Sequence, residues 1–279
     1  MIHDFVEMET PVTNPIEFFQ SGKLTDAVTA ATNAVRNKPA DVQARSLLCE
    51  LLCFCGEFER AEKQLDATLQ TDPQTMAGFS LLKHLIRSEM CRREVYREGR
   101  VPEFLTMPTD SQRKRLEALL CLRSGQPADA ARLVTEAASL DVELAGEVDG
   151  VPFSEFVDLD DLLGPTLEVY TATGKYYWIG FEQIVSLEFN PVEHLSDMLW
   201  RSASIETVGD VNGRIHVPAL YQGSEKSTDE RIRIGRATEW NKVDSDGPVQ
   251  GAGQREFLMN DDAISIMQVQ KLSFSHNAK

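Results

Sequence analysis

The chain has 279 residues, 42% hydrophobic and 8% aromatic, enough for two ordinary domains to bury a core without disulfides or metals. Its 28 Lys and Arg stand against 44 Asp and Glu, a formal charge of -16. Such a field repels phosphate backbones and anionic lipid surfaces, which excludes nucleic acid and membrane as expected partners.

The acidity is uneven: 17 basic and 22 acidic residues lie up to position 145, and 11 and 22 beyond it. Met1 to Glu7 lacks the basic region and apolar core of a signal peptide, and no run of about eighteen apolar residues follows, so a cytoplasmic address is expected. The five cysteines, Cys49, Cys53, Cys55, Cys91 and Cys121, are odd in number, form no C-x-x-C pair and read as buried thiols.

The first half repeats. Gly22 to Gly56, Ala27 to Ala61 and Pro39 to Pro73 are each 34 residues apart, the tetratricopeptide period. Each mark has a physical role. Glycine turns the backbone at a helix end, alanine lets two helices approach closely, and proline stops the second helix. Asp41 is placed to N-cap a helix whose Leu47, Leu48, Leu51 and Leu52 form an apolar stripe. A third copy runs from Asp110 to Gly125, with Leu116, Leu120 and Ala130 in register. Between the copies, Thr75 to about Glu98 reads as one longer helix, so six or seven helices are expected before residue 146. In the tetratricopeptide register the concave, partner-facing side presents Gln43, Ser46, Glu50 and Phe54, and later Gln112, Arg115 and Leu119. Lys83 to Arg123 holds ten basic and six acidic residues, read mainly as a solvated helix face with local pairs such as Glu89 with Arg93.

From about Glu147 the texture turns to short aromatic and β-branched runs. Tyr176–Ile179, Ile184–Phe189, Arg214–Val217, Glu256–Met259 and Ile264–Met267 read as strands, with turns at Thr173-Gly174-Lys175 and Asn212-Gly213. Leu159 to Thr171 reads as a short helix broken at Gly164-Pro165. The fold class expected is α+β in two domains: a tetratricopeptide-like α-α superhelix over 1–145 and a β-rich α+β domain over 146–279. The aromatic residues Tyr176 to Trp178, Trp200, Tyr221 and Trp240 read as the second domain's core.

No catalytic constellation stands out. Asp158, Asp160 and Asp161 lack the glycine and distal glutamate of a calcium loop and read as a solvated helix start. The five histidines, His3, His84, His194, His216 and His276, have no metal-ligand spacing; there is no G-x-S-x-G and no phosphate loop. Neither an enzyme nor a cofactor is expected.

Several patches occurring together resemble the ImpE/TagJ (SciE-type) family of bacterial type VI secretion accessory proteins. They are Leu47 to Ala61, Arg92-Arg93 with Pro102-Glu103-Phe104, Asp149-Gly150 with Phe153, Leu163-Gly164-Pro165 with Glu168, Tyr176 to Ile179, Pro218 to Tyr221 with Gly223-Ser224, and Gly235-Arg236 with Thr238-Glu239-Trp240. The resemblance spans nearly the whole chain. It implies a cytoplasmic, non-enzymatic adaptor that binds a helix of the sheath subunit TssB and is linked to the sheath-disassembling ATPase ClpV. Two other readings compete: a metal-dependent enzyme using Asp158, Asp160 or Asp161, and a general co-chaperone that grips chain ends.

Overall fold

The helical repeat signals act locally, and the elements follow them closely. The computed structural model describes residues 14–71 and 76–276; Pro73 and Thr75 lie outside these. Seven helices precede the first strand among the described residues: α1 (Pro15–Gln20), α2 (Leu24–Asn37), α3 (Val42–Phe54), α4 (Phe58–Thr71), α5 (Met76–Glu98), α6 (Asp110–Arg123) and α7 (Pro127–Ala138). Gly22, Gly56 and Gly125 all take positive φ, the left-handed turn that glycine adopts without a Cβ penalty. Ala27, Ala61 and Ala130 are fully buried where successive helices meet. The Asp41 carboxylate accepts from the Ala44 amide at 3.0 Å, as an N-cap should. In the third copy the cap moves by one residue. Thr109, not Asp110, caps α6, and its hydroxyl and the Gln112 side chain form a reciprocal capping box.

The second half forms a predominantly antiparallel β structure. Its strands are β1 (Gly146–Val148), β2 (Val151–Phe153), β3 (Phe156–Asp158), β4 (Thr166–Thr171), β5 (Tyr176–Gly180), β6 (Ile184–Phe189), β7 (Trp200–Thr207), β8 (Gly213–Pro218), β9 (Thr238–Lys242), β10 (Val249–Gly253), β11 (Glu256–Met259), β12 (Asp262–Ser265) and β13 (Lys271–Phe274), with a short helix α8 (Glu230–Arg233). Eight of them make one sheet in the order β2-β1-β13-β6-β7-β8-β4-β5, β11 joins β12 and β3 in a second, and β9 pairs with β10.

Two expectations are corrected here. Residues 166–171 are strand, not helix: β4 lies inside the sheet between β8 and β5, and both of its faces are buried. A strand covered on both sides loses the polar-apolar alternation that marks one covered on a single side. The run placed at 264–267 is shifted, since β12 ends at Ser265.

β4 also shows how the two halves join. Its Leu167 and Val169 belong to a core shared with Phe156, Phe181, Phe257 and Phe274. Its Tyr170 belongs instead to a second core that runs continuously into α1–α7 and takes in Trp178, Trp200, Leu220 and Tyr221. The sheet is therefore packed against the helices. Of the aromatic residues read as core, Tyr176, Trp178, Trp200 and Tyr221 are buried, whereas Trp240 is exposed and packs edge-on against Tyr221.

Candidate partner-binding site

The repeat geometry brings the α3 residues into one row, but the sheet covers much of that row. Gln43 is exposed, and Ser46 and Glu50 are half-buried at the edge of a cleft. Phe54 is 1% exposed, tilted against Phe19 with ring centroids 4.9 Å apart. On α6, Gln112 is used in its helix cap and buried. Arg115 is buried in an ion pair with Asp141 at 2.7 Å and donates to the Asp161 carbonyl at 3.3 Å. Leu119 is core. The expectation that Phe54, Gln112, Arg115 and Leu119 face a partner is thus corrected: they are consumed inside the chain.

The basic segment, expected to be a solvated face with local pairs, has such pairs in Arg100 with Glu94 and Arg113 with Asp110, but not in Glu89 with Arg93. Arg93 pairs with Glu225 rather than Glu89, at 3.1 Å, and Arg97 reaches the same carboxylate at 2.8 Å. Arg92 is buried against Glu168. Arg92, Arg93 and Arg97 of α5 are thus matched to acids of the second half and hold the halves together, while Arg113, Lys114 and Arg115 of α6 pair with Asp110, Glu136 and Asp141 of the first.

At the centre lies a buried charge network that no stretch of sequence assembles. Arg92 donates to both Glu168 oxygens, from Nε at 2.8 Å and Nη2 at 2.7 Å, and from Nη1 to the Leu220 carbonyl at 3.1 Å. Arg255 contacts Glu168 from its other side and lies 3.3 Å from Asp158. The Tyr176 hydroxyl donates to Glu168, as does that of Tyr96 at 3.3 Å. Burial would raise the Glu168 carboxyl, but the two guanidiniums and the hydroxyl outweigh it and hold it down to about 2. Asp158 accepts from the Tyr221 hydroxyl at 3.0 Å and the Asp160 amide at 2.9 Å, yet burial pushes it up to about 6. Several patches that carry the family resemblance, with Arg92, Glu168, Tyr176, Trp178 and Tyr221, converge here. Their shared role is to lock the sheet onto the helices.

The acids considered as metal ligands are engaged otherwise. Asp160 accepts from the amides of Leu162 at 2.9 Å and Gly251 at 3.0 Å, and Asp161 accepts from that of Val249 at 2.6 Å. Among the described residues no group of three His, Cys, Asp or Glu side chains is arranged to hold a metal ion. Neither is any described helix long and apolar enough to cross a membrane.

Two open concavities remain of interest. A groove of about 880 Å³ runs between the end of α7 and β3, but its Arg115, Asp141 and Asp158 are already paired within the chain. A cleft of about 440 Å³ lies between α3, α5 and the turn at 194–197, with Ser46, Glu50, Phe79, Leu82, Asp197 and His216 among its walls. Glu50 accepts from the Ser196 amide at 3.0 Å, and burial pushes its carboxyl up. His216, on β8, is 4% exposed, and its Nδ1 has no hydrogen-bond partner. Burial pushes this imidazole down to about 4, so it is neutral at pH 7. A histidine in an alternating Ile-His-Val strand carries no sequence signal of this kind; the cleft appears only when β8 is set beside α5.

Comparison with known proteins finds likeness along nearly the whole chain. Residues 150–273 match the family model for ImpE protein, and residues 18–85 match that for the tetratricopeptide repeat. The chain is 29% identical over 258 residues to the type VI secretion system accessory component TagJ of Pseudomonas aeruginosa PAO1, covering 92% of this chain and 90% of that one. It superposes with a TM-score of 0.89 on the crystal structure of protein VPA1032 from Vibrio parahaemolyticus, at 25% identity, covering 95% of this chain and 98% of that one.

Proposed function

The chain belongs to the ImpE/TagJ family, and from that membership we propose that it is a cytoplasmic, non-enzymatic accessory protein of a bacterial type VI secretion system. In this reading it binds a helix of the sheath subunit TssB and links the sheath to the disassembling ATPase ClpV. The observation that carries the proposal is the near end-to-end correspondence with TagJ, which takes in both the helical array and the sheet.

The open part of the α3 row, Gln43, Ser46 and Glu50, is where a partner helix would lie, with the cleft beside it. A helix seated in a groove is recognised through a few anchors spaced three and four residues apart, and the apolar wall of α5 suits one such anchor. Catalysis has little to work with: the most perturbed carboxyls, Asp158, Asp160 and Glu168, are enclosed and hydrogen-bonded within the core.

The test is direct titration of purified TssB, alone and as the assembled sheath, with this protein by calorimetry. Saturable binding that is lost when the TssB helix is deleted is the expected result. No heat and no co-elution with either form would sink the sheath assignment.

A further inference from the structure

Several buried and half-buried acids along the junction of the two halves are met by arginine. Glu168 has Arg92 and Arg255, Asp141 has Arg115, and Glu225 has Arg93 and Arg97. Asp160 instead has two backbone amides, and two acids of the cleft have neither a cation nor a full set of donors. Glu50 and Asp197 both line it, and neither forms an ion pair with a lysine or arginine among the described residues. Among the described residues no lysine or arginine lines the cleft, and the basic side chains there are the imidazoles of His194 and His216.

The local wiring leaves these acids with spare capacity. Glu50 takes the Ser196 amide on Oε2 and a long 3.4 Å contact from Ser46 on Oε1. Asp197 spends Oδ2 on the amides of Glu193 and His194, at 2.9 and 2.8 Å, while Oδ1 accepts no hydrogen bond from the described residues. His216, which also lines the cleft, adds a buried neutral ring whose Nδ1 has no hydrogen-bond partner and accepts when the proton sits on Nε2. A half-turn of the imidazole exchanges Nδ1 with Cδ2, so either ring edge can present that nitrogen. The remaining wall, Phe79, Leu82 and Leu85, is apolar.

We propose that this cleft is a socket for one arginine side chain of the bound partner, with its guanidinium held by Glu50, Asp197 and the ring of His216 and its methylene stem lying on Phe79 and Leu82. Arginine fits better than lysine because its planar fork presents several donors at once and sheds water more readily, and its stem packs on apolar surface. The partner thus supplies a cation to two acids that have none among the described residues, and the overall charge of -16 favours its approach. The inference rests on the reading of the chain as a helix-binding accessory protein.

Two measurements separate the two claims. Glu50→Gln and Asp197→Asn keep the shape and the amide-accepting oxygen; each is expected to weaken TssB binding about tenfold and the double variant about a hundredfold, with thermal unfolding unchanged. Independently, N-acetylarginine methylamide titrated into the ¹⁵N-labelled protein should shift the His216 ring signals saturably, and the citrulline analogue should not. Wild-type affinity in the double variant overturns the socket and leaves the sheath reading standing. Failure of the wild-type protein to bind TssB, with the arginine analogue still shifting His216, overturns the sheath reading and supports the socket. A His216 ring indifferent to the arginine analogue overturns the socket.

Discussion

Arg92 on α5 and Glu168 on β4 meet in a two-pronged ion pair at 2.7 and 2.8 Å, shut off from water, across the junction of helices and sheet. Arg255 closes on the same carboxylate from the sheet side, so one acid answers two cations. Removing the acid takes from both cations their shared counter-charge and leaves Arg255 only Asp158 and Arg92 only the Leu220 carbonyl and the more distant Glu89.

Glu168→Gln is therefore expected to cost about 3–5 kcal/mol in urea unfolding, the range for breaking a buried pair from one side. Arg92→Met, which leaves Arg255 to satisfy Glu168, should cost distinctly less. Equal losses for the two variants would mean that Arg255 does not share the load.

The same pair sets an acid limit. The Glu168 pKa is held down to about 2 in the fold, from an ordinary value of 4.5, so its ionisation contributes stability that is fully present above about pH 4.5 and drains away as pH falls through about 2. Melting temperatures from pH 6 down to pH 2 should drop more steeply for the wild-type protein than for Glu168→Gln. Parallel curves would refute the assignment.

Equivalent turn glycines of the repeat are not equally replaceable. Gly56 and Gly125 share a left-handed backbone, at φ 68° and 71°, but a Cβ on Gly56 would run into Arg93 and Glu225, while one on Gly125 meets nothing. Gly125→Ala should cost about 1 kcal/mol from backbone strain alone. Gly56→Ala should cost more and weaken the Arg93–Glu225 contact, a difference readable by comparing urea midpoints.

Phe54 separates folding from binding. It is buried against Phe19, so Phe54→Ala should destabilise the protein by about 3–5 kcal/mol, as large-to-small changes of a buried phenylalanine do. Gln43→Ala, on an exposed part of the same helix, should leave stability within about 0.5 kcal/mol. A Phe54→Ala protein as stable as wild type would return this ring to the partner-facing surface.

These contrasts show what a sequence carries and what it leaves out. Gly22, Gly56, Ala27 and Ala61 act within one or two helical turns of themselves, so their spacing is enough to place α2, α3 and α4. The concave residues of α3 are legible as a row, yet which of them stay open depends on the sheet that lies over it, and no local pattern records that. Arg92, Glu168 and Arg255 are separated by 76 and 87 residues, and each alone looks like a surface charge. Glu168 in the otherwise apolar-and-aromatic run Leu167-Glu168-Val169-Tyr170 is the one visible hint, a charge where a doubly covered strand has no room for an unpaired one. His216 offers none.

The place of β13 in the sheet has a consequence for synthesis. It lies between β1 and β6, pairing Leu272 with Val148 on one side and Leu187 on the other. A ribosome delivers residues 146–189 long before it delivers 271–274, so β1 and β6 emerge with a vacant slot between them and two unpaired edges. The helical array and the residues of β4, β5 and β7 that pack on it can form as they emerge, but the eight-stranded sheet cannot be completed until β13 has left the exit tunnel. During that interval Leu187, Phe189 and the other members of their core lack Leu272 and Phe274, and the nascent chain is at its most exposed to chaperones, proteases and its own neighbours on the polysome.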